Sequence, residues 1–127
     1  MILFHRFLIG TAIAFCALFA LLTALMDSVP LVVLTPDGNV AQWNPAAQGV
    51  FGWRADEVIG RPYPLVPPGN EAEFRELLAR ALRGERLPGV EVRRQRKDGA
   101  LLDVTVWTAP LHDAAGAVTG ILGVVAD

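Results

Sequence analysis

The chain has 127 residues, enough for one ordinary domain but not for two that each bury a core of their own. Its 11 Lys and Arg against 13 Asp and Glu give a net charge of −2, so we expect no overall basic surface and no nucleic-acid partner. The lone cysteine, Cys16, excludes an internal disulfide framework and a site made of several metal-binding cysteines, and we predict no metal.

The first 26 residues are almost uncharged. Residues 7–26 carry no charged side chain, and a helix of this length spans about 30 Å, the thickness of the hydrocarbon core of a bilayer. The helix would be apolar on all sides, unlike an amphipathic surface helix. We therefore predict an N-terminal apolar helix over residues 1–26 that anchors the chain in a membrane. Two alternatives stay open: a cleaved signal peptide, and a hydrophobic cap that packs on the body of a soluble protein.

Small side chains recur every four residues along this segment. Such a stripe lets two helices approach closely, so it predicts a dimer interface in the membrane, although an alanine-rich sequence also produces such spacing by chance. The residues are Ala12, Cys16, Ala20 and Ala24.

The body, residues 27–127, begins with signals for a hairpin and two short helices. Residues 31–34 and 40–43 are strand-like and flank the turn sequence PDGN. Asn44 followed by Pro45 predicts a helix start, and Gly52 predicts its end. A second short helix is predicted from about Ala55 to Ile59, and the proline-rich stretch after it is predicted to be a loop.

One longer helix and three strands complete the body. Asn70 and Glu73 have capping-box spacing, and apolar side chains then recur at helical spacing until Gly84. From Val90 onward the apolar residues alternate as in strands, separated by turn sequences. Strands segregated from helices predict an α+β domain whose antiparallel sheet is covered by helices on one face.

At these spacings the body resembles a PAS domain, the sensor module of bacterial signalling proteins. The resemblance runs from about Leu22 to Asp127 and rests on the phrases ALMDSVP, TPDGNVAQWNPAAQGVFGW, ADEVIGRP, EFRELLARALRGE and VEVRRQRKDGALLDVTVWTAPLHDAAGAVTGILGVVAD. It implies a five-stranded antiparallel sheet whose concave face, closed by the helices, forms a pocket. It also implies a cytoplasmic domain, although Arg6 before the apolar segment favours the opposite topology.

The resemblance also bears on cofactors. Light-sensing relatives that bind flavin carry a reactive cysteine in a Gly-Arg-Asn-Cys phrase, where this chain has Gly60-Arg61-Pro62-Tyr63. Haem-binding relatives place a histidine on the long helix, which here has none. We therefore expect neither flavin-adduct chemistry nor histidine-ligated haem, and His112 is predicted to lie in the loop before the last strand.

Periodicity suggests an apolar pocket that could hold a hydrophobic or carboxylate metabolite, with two polar groups at its rim. A core filled by side chains, without a ligand, is equally compatible with the sequence. The candidate lining residues are Phe51, Phe74, Leu78, Leu102, Val104 and Val106, with Tyr63 and Arg94 at the rim.

Trp107 alternates with the pocket residues, so it should lie on the opposite face of its strand, towards an N-terminal helix or a second subunit. We see no nucleophile near a histidine and no phosphate-binding loop, and expect no enzyme activity. The first hypothesis is a homodimeric sensor that passes a ligand- or partner-driven change to an output domain, such as a histidine kinase, diguanylate cyclase or transcription regulator. The alternative is a constitutive dimerisation module with a filled core.

Overall fold

Eight regular elements make up residues 28–126, the part of the chain that the computed structural model describes. The apolar helix predicted over residues 1–26, with its small-residue stripe, lies outside this range. Within it, no helix is long and apolar enough to cross a membrane. In chain order the elements are β1 (Leu31–Leu34), β2 (Val40–Trp43), α1 (Pro45–Phe51), α2 (Ala55–Val58), α3 (Glu71–Leu82), β3 (Leu87–Gln95), β4 (Leu101–His112) and β5 (Val118–Ala126).

The five strands form one antiparallel sheet in the order β2-β1-β5-β4-β3. The last strand is therefore central, between the first strand and the long hairpin formed by β3 and β4. Side chains of α1 and α3 pack with the inward residues of the sheet in a common core. The predicted α+β architecture with a five-stranded antiparallel sheet is confirmed.

Asn44 shows why α1 begins where the sequence predicts. Its side-chain oxygen accepts a hydrogen bond from the backbone N–H of Ala47 at 3.0 Å, which satisfies a free donor in the first helical turn. Pro45 follows at the first helical position, where a missing N–H is harmless. At the other end Gly52 adopts φ 81°, the left-handed conformation that closes many helices.

The start of α3 differs from the predicted capping box. Asn70 makes no side-chain capping hydrogen bond; instead the Glu71 carboxylate accepts from the backbone N–H of Gly69 at 2.8 Å. Glu73, predicted to reach back to the helix start, extends towards Arg94 on the sheet. The attraction of a buried cation outweighs a local backbone contact.

The β3–β4 hairpin extends further than predicted at its open end, where β3 begins and β4 ends. β3 starts at Leu87, three residues before Val90, and a bulge at Gly89, with φ 83°, keeps it paired with β4 across Pro88. His112 is not a loop residue: it is the last residue of β4, is exposed and pairs with Val118. Pairing along the partner strand extends both elements beyond their local sequence signals.

Candidate functional site

A cavity of about 60 Å³ lies between α3 and the inner face of the sheet. Its wall is almost entirely apolar, with Arg94, Tyr63 and Thr108 as the polar side chains among the described residues. The volume is well below the roughly 300 Å³ of an ordinary small-molecule pocket. The lining residues are Val32, Leu34, Tyr63, Phe74, Leu77, Leu78, Ala81, Leu87, Val90, Arg94, Val106, Thr108, Ile121, Gly123 and Val125.

The structure brings five of the eight candidate pocket residues together on this wall: Tyr63, Phe74, Leu78, Arg94 and Val106. The other three, Phe51, Leu102 and Val104, are not on it.

Phe51 is fully buried against Trp43, with ring centroids 5.9 Å apart, and Val104 lies in the core opposite Val92. Leu102 packs against the same core. Phe51 lies on α1, and Leu102 and Val104 lie on the inner face of β4; all three pack in the core away from the cavity, which forms under α3. Alternation predicts which face a side chain occupies, not where along that face space remains.

Arg94 carries the only buried charge in the described part of the chain. It follows Val90 and Val92 on the inward face of β3, and its side chain is 4% exposed. One terminal nitrogen donates to the backbone carbonyl of Arg93 at 3.0 Å and lies 3.7 Å from a carboxylate oxygen of Glu73. The Nε–H has no hydrogen-bond partner within residues 28–126. A buried cation with an unused donor is costly for the fold, so the residue calls for a functional explanation.

A pair of stacked aromatic rings lies beside this guanidinium. The rings of Tyr63 and Phe74 are stacked with centroids 5.1 Å apart, and the Arg94 guanidinium carbon lies 5.8 and 5.9 Å from their respective centroids. Burial raises the pKa of the Tyr63 hydroxyl above its ordinary value of 10.0, while the charge and hydrogen bond of Arg94 offset part of this rise. The hydroxyl therefore stays neutral at physiological pH and can donate a hydrogen bond.

Thr108 is a polar wall residue that sequence reasoning missed. Its hydroxyl is buried and has no hydrogen-bond partner in the described range. Thr108 pairs with Leu87, whereas Arg94 pairs with Leu102, so the two polar groups lie at opposite ends of the inner face. The alternation that predicts inward positions for Val104 and Val106 also places Thr108 inward. A polar residue at an inward position is the sequence signal that could have identified it as a site residue.

The opposite face of the sheet is apolar as well. Trp107 lies there, 43% exposed, on the face that alternation predicts, and it is paired with Val124 on β5. Leu111 is also exposed. Register places further apolar side chains beside them: Leu31, Val33, Ala109, Leu122 and Val124. We call these seven residues the outer apolar face.

Comparison with known proteins identifies the family. The sequence profile of the PAS fold matches residues 24–127. The chain therefore belongs to the PAS family. A crystal structure of a PAS domain from Colwellia psychrerythraea superimposes with a TM-score of 0.69 at 24% identity, covering 78% of this chain and 85% of that one, which supports the same fold.

Two curated relatives are sensor proteins by name. The chain is 32% identical over 98 residues to the virulence sensor protein BvgS of Bordetella bronchiseptica, covering 74% of this chain and 8% of that protein. It is 34% identical over 94 residues to the C4-dicarboxylate transport sensor protein DctS of Rhodobacter capsulatus, covering 71% of this chain and 14% of that protein. The chain thus spans a small part of each relative and is homologous to the PAS portion of signalling proteins.

Proposed function

We propose that this chain is the sensory input of a signalling protein. In this proposal it binds a small molecule in the cavity under α3 and relays the change through the sheet to an output domain, such as a histidine kinase, diguanylate cyclase or transcription regulator. The chain performs no catalysis of its own. Residues 7–26 anchor it in the membrane, with the PAS domain in the cytoplasm.

The observation that carries this proposal is Arg94. A positive charge in the wall of an apolar cavity, with its Nε–H unpaired among the described residues, weakens the fold unless a ligand completes its hydrogen bonds. The relay follows from topology, because the cavity wall includes Val125 near the end of β5. A ligand that fits one arrangement of the wall better than another shifts the position of that strand end.

Native mass spectrometry of the full chain, purified without denaturation and released from a mild detergent, tests the proposal. A co-purified small molecule, or a shift in hydrogen exchange of β5 when that molecule is added, is the expected result. A ligand-free mass, with unchanged exchange across a panel of added metabolites, would contradict it. An absorbance spectrum of the same sample reports any coloured cofactor.

A second candidate function, constitutive dimerisation, is favoured by the outer apolar face and by the small volume of the cavity. A contiguous apolar surface on a sheet is typical of a protein interface. This hypothesis predicts that a second copy of the chain packs on the outer apolar face, with Trp107 at the centre of the contact.

Replacing Trp107 by Lys tests this function. We expect the dimer of the full chain to dissociate on light-scattering chromatography, because a charge would be buried in an apolar contact. Leu101→Lys is the matched control, since Leu101 is 53% exposed at the hairpin tip and does not belong to the outer apolar face. A Trp107→Lys protein with unchanged mass would rule out a contact centred on this residue.

A further inference from the structure

Resting on the proposed sensor function, we propose that the ligand of this cavity is a short-chain monocarboxylate of about four to six non-hydrogen atoms, whose carboxylate pairs with Arg94 and displaces Glu73 from it. The class follows from three properties of the site: its charge, its size and the competing carboxylate.

The charge of the site selects an anion. Arg94 is buried, and its Nε–H and terminal nitrogens form the planar fork that matches a carboxylate through two parallel hydrogen bonds. One arm of this fork is unused within residues 28–126, and the neutral Tyr63 hydroxyl beside it supplies a further donor. The rest of the wall is apolar, which favours a hydrocarbon tail over a second charged or hydroxylated group.

The size of the site limits the tail. A cavity needs about 10–15 Å³ for each water-sized group that it holds. A cavity of 60 Å³ therefore has room for about four to six such groups. Acetate, propionate and butyrate fall in this range. A fatty acid, a nucleotide or a flavin exceeds it and would require α3 to move away from the sheet.

Glu73 makes the binding a competition. Its carboxylate, 45% exposed in the first turn of α3, lies 3.7 Å from Arg94, too far for a hydrogen bond but close enough for attraction. An incoming carboxylate takes over this cation and frees Glu73 to turn to solvent. Occupancy of the cavity is therefore coupled to the start of α3, which gives the relay a defined first step.

Titration of the full chain in mild detergent with sodium propionate, followed by NMR at constant ionic strength, measures this binding. We expect saturable shifts with a Kd of about 1 mM, an ordinary affinity for so small a ligand, and no saturable shifts with propionamide. Arg94→Met should weaken binding at least about tenfold because the charged hydrogen bonds are lost. Glu73→Gln should tighten binding severalfold because it removes the competing charge.

The matched control is Arg93→Met, because Arg93 points outward to Asp103 on the neighbouring strand and is half exposed. It should leave the propionate Kd unchanged. Should Arg94→Met misfold by circular dichroism, Arg94→Lys replaces it: it keeps the charge but loses the two-pronged geometry, and should bind several times more weakly than the unmodified chain.

Three results would overturn the inference: equal binding of propionamide, propionate binding that persists in Arg94→Met, or no shifts up to about 100 mM propionate. If a different molecule co-purifies or binds independently of Arg94, the ligand class is wrong while the sensor function stands. If neither propionate nor any metabolite of the panel binds, the proposed small-molecule sensor fails with it.

Discussion

Asn44 joins three segments of the chain through one side chain. Its oxygen accepts from the backbone N–H groups of Leu31 at 2.9 Å and Ala47 at 3.0 Å, and its amide nitrogen donates to the carbonyl of Val29 at 2.7 Å. The Asn44 side chain is buried, so replacing it leaves these backbone groups without their partners. Asn44 thereby fixes the start of β1 to the start of α1.

Replacing Asn44 by Ala should lower the free energy of unfolding by about 2–3 kcal/mol, since a helix cap and two further part-buried hydrogen bonds are lost together. Urea denaturation of the full chain measures the change. Asn44→Asp is the control: it keeps both acceptor contacts, loses the donor to Val29, and should cost less. Equal losses in the two variants would show that the cap contributes little.

Arg94 shows how far the sequence alone predicts the residues of the cavity. Arg94 is recognisable because it interrupts an apolar alternation, and the sequence predicts it at the pocket rim with Tyr63, whereas the structure buries it in the cavity wall. Its pairing with Glu73 was not predicted, because that contact depends on how α3 crosses the sheet. The position of the cavity, away from Phe51, likewise follows from helix packing, which no local pattern encodes.

At the scale of elements, the bulge in β3 protects a sheet edge. β3 has a free side in the described part of the sheet, where unpaired backbone groups favour association with other strands. Pro88 removes one donor there, and Gly89 bends the strand with φ 83°. The Trp107 ring covers this bend so closely that a Cβ on Gly89 would lie 3.0 Å from its Nε1.

Gly89→Ala should therefore lower the free energy of unfolding by about 2 kcal/mol or more, from backbone strain and from the clash with Trp107. Gly116→Ala is a matched control, because Gly116 has φ 86° with nothing within 4 Å of its Cβ position, and about 1 kcal/mol is expected from strain alone. Chemical denaturation of both variants separates the two contributions. A Gly89→Ala loss no larger than that of Gly116→Ala would show that Trp107 moves aside freely.

Lys97 ties the tip of the β3–β4 hairpin to the short helices. Its ammonium pairs with Glu57 of α2 and lies 5.3 Å from the centre of the Trp53 ring, while its backbone N–H donates to the carbonyl of Phe51 at 2.9 Å. The hydrogen bond from Lys97 lowers the pKa of Glu57 below its ordinary value of 4.5, with a further contribution from the Arg54 backbone N–H. This part of the fold is therefore sensitive to acid.

Because the pKa of Glu57 is lower in the folded state, its contribution to stability is present above pH 4.5 and is lost as the pH falls through the folded value. Lys97→Met keeps the alkyl chain over Trp53 but removes the pairing. We expect its Tm to decline less steeply than that of the unmodified chain between about pH 5 and pH 3. Lys97→Arg should retain the steeper decline, and identical slopes in all three proteins would refute the assignment.

The elements differ in how far local sequence determines them. α1 and the β1–β2 turn carry their own signals, in Asn44, Pro45 and Gly38, and were predicted closely. The start of β3 was missed because Pro88 and Gly89 imitate a turn, and their pairing with β4 is visible only once the sheet forms. The end of β4 at His112 was missed for the same reason, because pairing with β5 determines where β4 ends.

At the scale of the whole molecule, β5 is the structural centre. It is flanked by β1 and β4, whereas β2 and β3 each have one strand neighbour in the described sheet. Opening β5 requires breaking both of its pairings, so its amides should exchange only through global unfolding.

Native-state hydrogen exchange of the full chain, read by NMR, should therefore find the slowest amides in β5 and the fastest in the turn at residues 113–116, which is exposed throughout. Amides of β2 that outlast those of β5 would mean that the hairpin of β1 and β2 is the more stable unit. The comparison is internal to one sample and needs no variant.

The contact between the two ends of the domain has a mechanical consequence. Val125 donates a hydrogen bond to the carbonyl of Pro30 at 3.1 Å, and Leu31 pairs with Val124, so the chain enters and leaves the sheet side by side on antiparallel neighbours. A force that pulls these two ends apart acts on the hydrogen bonds between β1 and β5 one after another, not on all of them at once. A force applied to either flanking segment would therefore separate β1 from β5 before it disrupted the pairing of β3 with β4.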